Sequence, residues 1–214
     1  GNVELATTAF GQGISVTPIQ QVTAVSAVVN GGKLYQPYIL KSISEKETGN
    51  IIKKNSKKFI RQTISKETSN TMRRALENVV AKGGGKAAYI DGYRIGGKTG
   101  TAQKVENGVY LVNNYIMSFM AVVPSNNPEA VLYLAIDNPK HTAMLSSYTT
   151  TPIARRILLD IIEALDIKKQ DSQIEKEKEW SDKTIYEVPN VVGMTKKEAK
   201  KALENFTVEY AGTG

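Results

Sequence analysis

Ile95-Gly96-Gly97-Lys98-Thr99-Gly100-Thr101-Ala102-Gln103 is the stretch of sequence that decides between two folds. Together with the residues before it, the stretch matches G-x-x-x-x-G-K-[ST] over 92–99, the pattern of a nucleotide-binding loop. Such a loop needs a helix that begins at its Lys-Thr pair, so that helical N–H groups face the phosphates. Here the pair is followed by Gly100 and then by residues that favour an extended strand. We therefore expect a strand at Lys98, and an NTPase stays an alternative that ATP binding would test.

The residues that follow predict an antiparallel sheet. Extended segments at 96–105 and 110–123 are joined by Asn107-Gly108, a dipeptide that is the strongest short signal for a hairpin. A turn at 124–128, with proline at both ends, precedes a further β-rich run at 130–136. We expect these segments to form the central sheet.

Helices are predicted before and after these strands. Thr17-Pro18-Ile19-Gln20 combines a capping threonine, a proline at the first helical position and a capping-box glutamine, and this helix should end at 30–32. A second helix is expected from Ser65 to the glycines at 83–85, and a third from Thr151-Pro152. The fold class is therefore α/β (α+β), with an antiparallel sheet sandwiched by helices. The apolar faces of the second and third helices are predicted to be Met72, Ala75, Leu76, Val79 and Val80, and Ile153, Ile157, Leu158, Ile161, Ile162 and Leu165.

Composition along the chain predicts a larger domain, a linker and a smaller unit. Residues 1–166 carry the predicted sheet and helices, and within them 34–43 is expected to be extended and followed by a polar, Lys-rich loop. Residues 167–185 are dominated by charged and polar side chains, which is typical of an interdomain linker. A small unit is expected at 186–214, with a capped helix from Thr195.

Bulk composition excludes several classes of function. The 214 residues carry a formal charge of +7, but the lysines are scattered without interleaved aromatics, so we expect no nucleic-acid partner. There is no cysteine, which excludes disulfides, thiol catalysis and thiolate metal sites. The longest apolar stretch, 115–123, is too short to span a bilayer, and neither a signal peptide nor a methionine stands at Gly1. We therefore expect a fragment whose membrane anchor lies upstream.

Read as a strand, Lys98-Thr99-Gly100 matches the Lys-Thr-Gly element of serine transpeptidases and β-lactamases. The wider run 96–103 resembles the signature of class B penicillin-binding proteins. Further stretches resemble that family in the same order: Phe10-Gly11-Gln12-Gly13 with Thr17-Pro18-Ile19-Gln20, and Met72-Arg73 through Ala87-Ala88. Val188-Pro189-Asn190-Val191-Val192-Gly193-Met194 resembles the start of a PASTA cell-wall-binding repeat. Among class B proteins with PASTA modules, the septal and sporulation-specific enzymes of Gram-positive bacteria are the most similar.

The resemblance implies part of a penicillin-binding/β-lactamase-like transpeptidase fold and the start of a small α/β PASTA module. It implies a peptidoglycan D,D-transpeptidase that cross-links stem peptides through a serine acyl-enzyme and is a target of β-lactam antibiotics. No cofactor and no metal are expected. The further partners it implies are a cell-wall glycosyltransferase and division or sporulation proteins, at the extracytoplasmic face of the cell membrane.

The resemblance also assigns roles at the strand. It makes Lys98 and Thr101 the catalytic residues: Lys98 attracts the substrate carboxylate, and the Thr101 backbone N–H donates to the oxyanion. Gly97, Thr99, Gly100 and Gln103 are expected to bind the substrate, and the two glycines should let it approach closely.

The nucleophile is missing from this chain. Ser-x-x-Lys matches nowhere, so we expect the serine and its lysine upstream of Gly1. Ser125-Asn126-Asn127 matches Ser-x-Asn, but it follows the Lys-Thr-Gly element whereas the family places it before, so we reject it. His141, the one histidine, is interpreted as a loop residue. Two alternatives remain open: a non-catalytic wall-binding or sensor protein with a transpeptidase-like fold, and a β-lactamase.

Overall fold

The computed structural model describes residues 2–9, 11, 13–106, 108–140, 146–177, 188–204, 206 and 208. The chain forms two compact units, Gly1–Glu177 and Lys178–Gly214. The first unit contains, in chain order, α1 (Asn2–Ala9), α2 (Pro18–Val29), β1 (Lys33–Tyr35), β2 (Ser42–Ser44), β3 (Ile51–Lys54), β4 (Phe59–Gln62), α3 (Lys66–Lys82), β5 (Gly96–Glu106), β6 (Val109–Val123), β7 (Ala130–Asp137), α4 (Ser146–Thr149) and α5 (Thr151–Ala164).

The predicted antiparallel sheet is confirmed. It consists of β5, β6 and β7 in that order, with Lys98 of β5 opposite Met120 of β6 and Thr101 opposite Met117. In the turn between β5 and β6, Gly108 has a φ of 78°, a conformation that glycine adopts without strain. Its predicted partner in the turn, Asn107, lies outside the described residues.

The hydrophobic core lies on the face of this sheet against which α3 and α5 pack. Phe119, Ala121 and Val123 alternate along β6, so they project to the same side, where all of them are buried. Val80 of α3 and Leu158 of α5 belong to the same cluster. This packing places the start of β5 beside α3.

The predicted helix boundaries agree with the structure, but the predicted buried faces agree only in part. In α3, Val80 is buried as expected, whereas Met72 is 41% exposed. The buried positions that the pattern missed are Ala81 and two polar residues, Ser69 and Glu77, which are 0% and 2% exposed. Ser69 is accommodated because its hydroxyl donates to the Val28 carbonyl at 2.6 Å.

The buried face of α5 shows the same mixture. Leu158 and Ile162 are buried as predicted, but Ile153 is 40% and Leu165 46% exposed. Ala154 is also fully buried, which brings the backbone of α5 close to the sheet. Only part of the apolar stripe is therefore core.

The segment between α2 and α3 differs from its prediction. Residues 34–43 were expected to be extended, but only the two ends of this region belong to strands, β1 and β2. The Lys-rich loop predicted after it contains a further strand, β3. β1 pairs with β4 and β2 pairs with β3, both antiparallel, in separate two-stranded sheets. β1 contacts α2, whereas β2, β3 and β4 leave large apolar side chains at the surface.

Residues 167–177, at the start of the predicted linker, lie on the first unit. Ile167 is buried in the core, and the side-chain amide of Gln173 accepts from the Gly92 N–H at 2.8 Å and donates to the Ile90 carbonyl at 2.8 Å. The Glu177 N–H donates to the Ala81 carbonyl at 2.9 Å. The first unit therefore extends to Glu177, and the rest of the predicted linker lies outside the described residues.

The described part of the second unit contains one helix, α6 (Lys196–Ala202). Its predicted capping box is present: the Thr195 N–H donates to Glu198 Oε2 at 2.8 Å, and the Thr195 hydroxyl accepts from the Glu198 N–H. Among the helices that the structure describes, none is both long enough and apolar enough to cross a membrane.

Candidate active site

The Lys-Thr-Gly residues lie in the middle of a continuous strand. β5 runs from Gly96 to Glu106, so no helix begins at Lys98-Thr99 and no helical N–H groups converge on a phosphate. The nucleotide-binding alternative is therefore wrong. β5 pairs with β6 on one side, and no strand of the described residues pairs with its other side. An open edge of this kind can accept an extended peptide as an added strand.

Lys98 and Thr101 flank this open edge. They are three residues apart in β5, and both are exposed. The Lys98 ammonium donates to the carbonyl of its neighbour Thr99 at 2.8 Å. A substrate carboxylate beside the strand would compete with that single carbonyl for a charged donor.

The two glycines have a packing role beside the predicted one. A Cβ on Gly97 would lie 2.4 Å from the Phe119 ring and 2.8 Å from the Met120 carbonyl, both on the neighbouring strand, so Gly97 is needed for close packing of β5 on β6. A Cβ on Gly100 would lie 2.5 Å from the Ser118 hydroxyl, which would have to turn away. The contacts of both glycines with a substrate stay a prediction.

Thr99 and Gln103, also predicted to bind substrate, lie on either side of Thr101. Thr99 is half-buried, and its hydroxyl lies 3.8 Å from where a Cβ on Gly84 would stand. The Gln103 side-chain amide donates to the Leu111 carbonyl of β6 at 2.9 Å. Gln103 also lines a cavity of about 390 Å³ beside the outer half of β5, together with Gly13 and Tyr110. Gln103 therefore both stabilises the pairing of β5 with β6 and lies at the rim of a cleft.

A buried serine that the sequence analysis missed holds Thr101. The Ser146 hydroxyl, at the start of α4, lies 2.7 Å from the Thr101 hydroxyl and donates to the Gly100 carbonyl. Ser146 is 2% exposed, whereas Thr101 is exposed, so the pair links the interior to the strand surface. Ser146 lies 45 residues from Thr101, in a stretch without a recognisable motif, and no local pattern could have identified it.

The start of β5 is fixed by a buried carboxylate, which was also missed. Glu77 of α3 accepts from Arg94 Nη2 at 2.7 Å and Nε at 3.0 Å, from the Ser125 hydroxyl at 2.6 Å and from the Ile174 N–H at 3.2 Å. Burial alone would raise the pKa of Glu77, but the hydrogen bonds from Arg94 and Ser125, with that from Ile174, hold this pKa below its usual value. Glu77 therefore stays charged and joins α3, β5 and the 167–177 segment.

Ser125 and His141 were not expected to take part in the active site. Ser125 is 1% exposed and donates to Glu77, so its hydroxyl stabilises the start of β5. Its only polar side-chain atom is committed to this contact, which agrees with rejecting the Ser-x-Asn match. His141 lies outside the described residues.

Comparisons with known proteins show which family the chain resembles. Residues 1–159 match the family described as penicillin binding protein transpeptidase domain. Stage V sporulation protein D of Bacillus subtilis is 51% identical over 214 residues, which are 100% of this chain and 33% of that protein. A peptidoglycan D,D-transpeptidase FtsI homolog of Mesostigma viride is 35% identical over 173 residues, 75% of this chain and 29% of the relative. The chain thus spans about a third of the length of these relatives.

Solved structures show the same fold. Penicillin binding protein 3 of Mycobacterium tuberculosis, complexed with aztreonam, matches with a TM-score of 0.68 and 26% identity over 81% of this chain and 40% of that one. The transpeptidase domain of penicillin-binding protein 3 from Burkholderia pseudomallei matches with a TM-score of 0.65 and 28% identity, over 79% of this chain and 49% of that one. Together with the family match over most of its length, these likenesses show that the chain belongs to the penicillin-binding protein transpeptidase domain family.

Proposed function

We propose that this chain supplies the substrate-binding strand of a peptidoglycan D,D-transpeptidase. The observation that carries the proposal is the open edge of β5, flanked by the exposed Lys98 and Thr101 within a Lys-Thr-Gly-Thr run. The relatives support the reaction class, since several are named as D,D-transpeptidases, and solved relatives are complexes with ampicillin and aztreonam.

In the proposed reaction a serine outside this chain attacks a peptide carbonyl of one stem peptide and forms an acyl-enzyme. The attack turns the carbonyl oxygen into an oxyanion, and the amine side of the broken peptide bond leaves. The amino group of a second stem peptide then takes the acyl group and releases the serine. Each step passes through a tetrahedral oxyanion, which preorganised backbone N–H donors stabilise.

The residues of β5 would divide this work. The Thr101 N–H donates to the oxyanion, while the Thr101 hydroxyl and the Lys98 ammonium bind the terminal carboxylate of the substrate. Gly97, Thr99, Gly100 and Gln103 contribute backbone groups and the rim of the cleft along which the peptide extends. A β-lactam would bind the same edge, because it also presents a reactive carbonyl and a carboxylate.

The domain organisation is part of the proposal. The transpeptidase part, predicted at 1–166, includes the packed residues to Glu177, and it is followed by the rest of the predicted linker, to 185, and by the start of a PASTA module at 186–214. The capping box of α6 supports a helix at the position that the PASTA resemblance requires. We place the protein at the extracytoplasmic face of the membrane, anchored by a segment upstream, with a glycosyltransferase and sporulation or division proteins as partners. The sporulation assignment is supported by the name of the 51% identical relative.

A labelled penicillin tests the proposal. The intact protein should be labelled at one serine, and the 214-residue chain alone should not be labelled, because it has Lys98 and Thr101 but no Ser-x-x-Lys. In the intact protein Lys98→Ala should slow acylation about tenfold to a hundredfold, as expected when a charge-assisted contact of roughly 1.5–3 kcal/mol is lost.

Each other outcome has a definite meaning. No labelling of the intact protein would support the non-catalytic alternative, and rapid turnover of the penicillin would support a β-lactamase. Stoichiometric labelling of the isolated chain would place the nucleophile within these residues and overturn the proposal. Lys104→Ala is a matched control, because Lys104 lies on the same strand but pairs with Asp137.

A further inference from the structure

We infer that Ser146 is a positioning residue that aims the Thr101 N–H at the reaction centre, by holding the carbonyl of Gly100. The inference rests on the proposed function, because it concerns the oxyanion donor of that reaction. It starts from one contact, the hydrogen bond that the Ser146 hydroxyl donates to the Gly100 carbonyl oxygen.

The peptide unit between Gly100 and Thr101 connects that contact to the donor. The described residues contain one cis peptide bond, at Val123-Pro124, so the Gly100–Thr101 bond is trans. In a planar trans peptide the carbonyl oxygen and the following N–H point in opposite directions. Fixing the Gly100 carbonyl toward Ser146 therefore fixes the Thr101 N–H in the opposite direction.

This peptide unit lies at a glycine, whose backbone has more accessible conformations than that of any other residue because it has no Cβ. Within the sheet, the pairing of β5 with β6 restrains it, since Gly100 lies opposite Ser118 and Thr101 opposite Met117. Ser146 adds a second restraint from α4, through its hydrogen bond to the Gly100 carbonyl.

Ser146 is itself held firmly. Its carbonyl accepts from both the hydroxyl and the N–H of Thr150, at 2.8 and 2.9 Å, and Thr150 is 0% exposed. Because the single hydroxyl proton of Ser146 goes to Gly100, the Thr101 hydroxyl is the donor in the 2.7 Å contact between them, and a bound substrate carboxylate would have to draw this proton away from Ser146. Ser146 thus contacts the Gly100 carbonyl and the Thr101 hydroxyl, one on each side of the peptide bond whose N–H would donate to the oxyanion.

The test measures acylation of the intact protein by a chromogenic β-lactam, with the acylation rate constant and the non-covalent dissociation constant determined separately. Ser146→Ala should lower the rate constant about tenfold, since loss of a whole oxyanion donor costs about a hundredfold to a thousandfold and here the donor is only misaligned. The dissociation constant should change little. Ser146→Thr keeps the hydroxyl and should restore most of the rate. Ser147→Ala, at the neighbouring position of α4, should acylate at the parent rate.

The route of the effect is tested in a Thr101→Ala background. If Ser146 acts through the Gly100 carbonyl, Ser146→Ala should lower the rate constant there by the same factor as in the parent. Loss of its effect in that background would overturn the inference, because Ser146 would then act through the Thr101 hydroxyl. A Ser146→Ala protein that acylates at the parent rate, or that Ser146→Thr fails to rescue, also overturns it. Failure of the parent protein to acylate at all would instead contradict the proposed function.

Discussion

The start and the middle of β5 are fixed in different ways. Where the strand begins, Arg94 is paired with Glu77, which is 2% exposed, and Ser125 closes the same network. At the proposed substrate-binding part, Lys98 and Thr101 are exposed, and Thr101 contacts a buried, uncharged hydroxyl, that of Ser146. The start of β5 is therefore held by a buried charge, whereas Thr101 is held by a neutral hydrogen bond.

Removing the buried carboxylate should have the largest effect. Glu77→Ala leaves Arg94 without its partner and deprives Ser125 and Ile174 of their acceptor. Breaking a buried ion pair from one side costs about 3–5 kcal/mol of folding free energy. The midpoint of urea unfolding of the intact protein should fall accordingly, and amides at the start of β5 should lose protection from hydrogen exchange. A loss below about 1 kcal/mol, the range of an exposed pair, would contradict the role given to this network.

Substitution at Thr101 tests the middle of the strand. Thr101→Pro removes the N–H proposed to donate to the oxyanion, so acylation by a β-lactam should fall about a hundredfold to a thousandfold. Thr101→Ala keeps that N–H and should cost less. Proline is tolerated at a strand edge, and circular dichroism should show that both variants are folded. Equal rates for the two folded variants would show that the N–H has no part in acylation.

The signals that succeeded in the sequence were local. The capping box at Thr17 and the Asn107-Gly108 dipeptide act over a few residues, and the elements they predict are present. The contacts that fix β5 are not local: Ser146 lies 45 residues from Thr101, and Ile174 lies 97 residues from Glu77. Their partners depend on how α3, α4 and residues 167–177 pack around the sheet, which no short pattern encodes.

Acid should weaken the start of the strand before it affects the hydroxyl contacts. The pKa of Glu77 is lower in the folded protein than its ordinary value of 4.5, despite burial, because Arg94, Ser125 and the Ile174 N–H hydrogen-bond to its charged form. A carboxyl with a lowered folded-state pKa adds stability above its unfolded pKa, and this stability is lost as the pH falls through the folded value. Stability should therefore decline below about pH 4.5, as measured by urea midpoints across that range. Glu77→Gln should remove this part of the decline, and an unchanged decline would assign it to other carboxyls.

The smallest effect is expected from an ion pair of nearly the same length. Lys104 of β5 and Asp137 of β7 are 2.8 Å apart, against 2.7 Å for Arg94 and Glu77, but their side chains are 33% and 65% exposed, against 20% and 3%. Water and salt screen the exposed pair, and such pairs contribute about 0–1 kcal/mol. Asp137→Asn should therefore shift the urea midpoint slightly, and any shift should shrink as salt is raised. Equal destabilisation by Asp137→Asn and Glu77→Ala would contradict this explanation. It would mean that the distance between the charged atoms, and not their burial, sets how much each pair stabilises the protein.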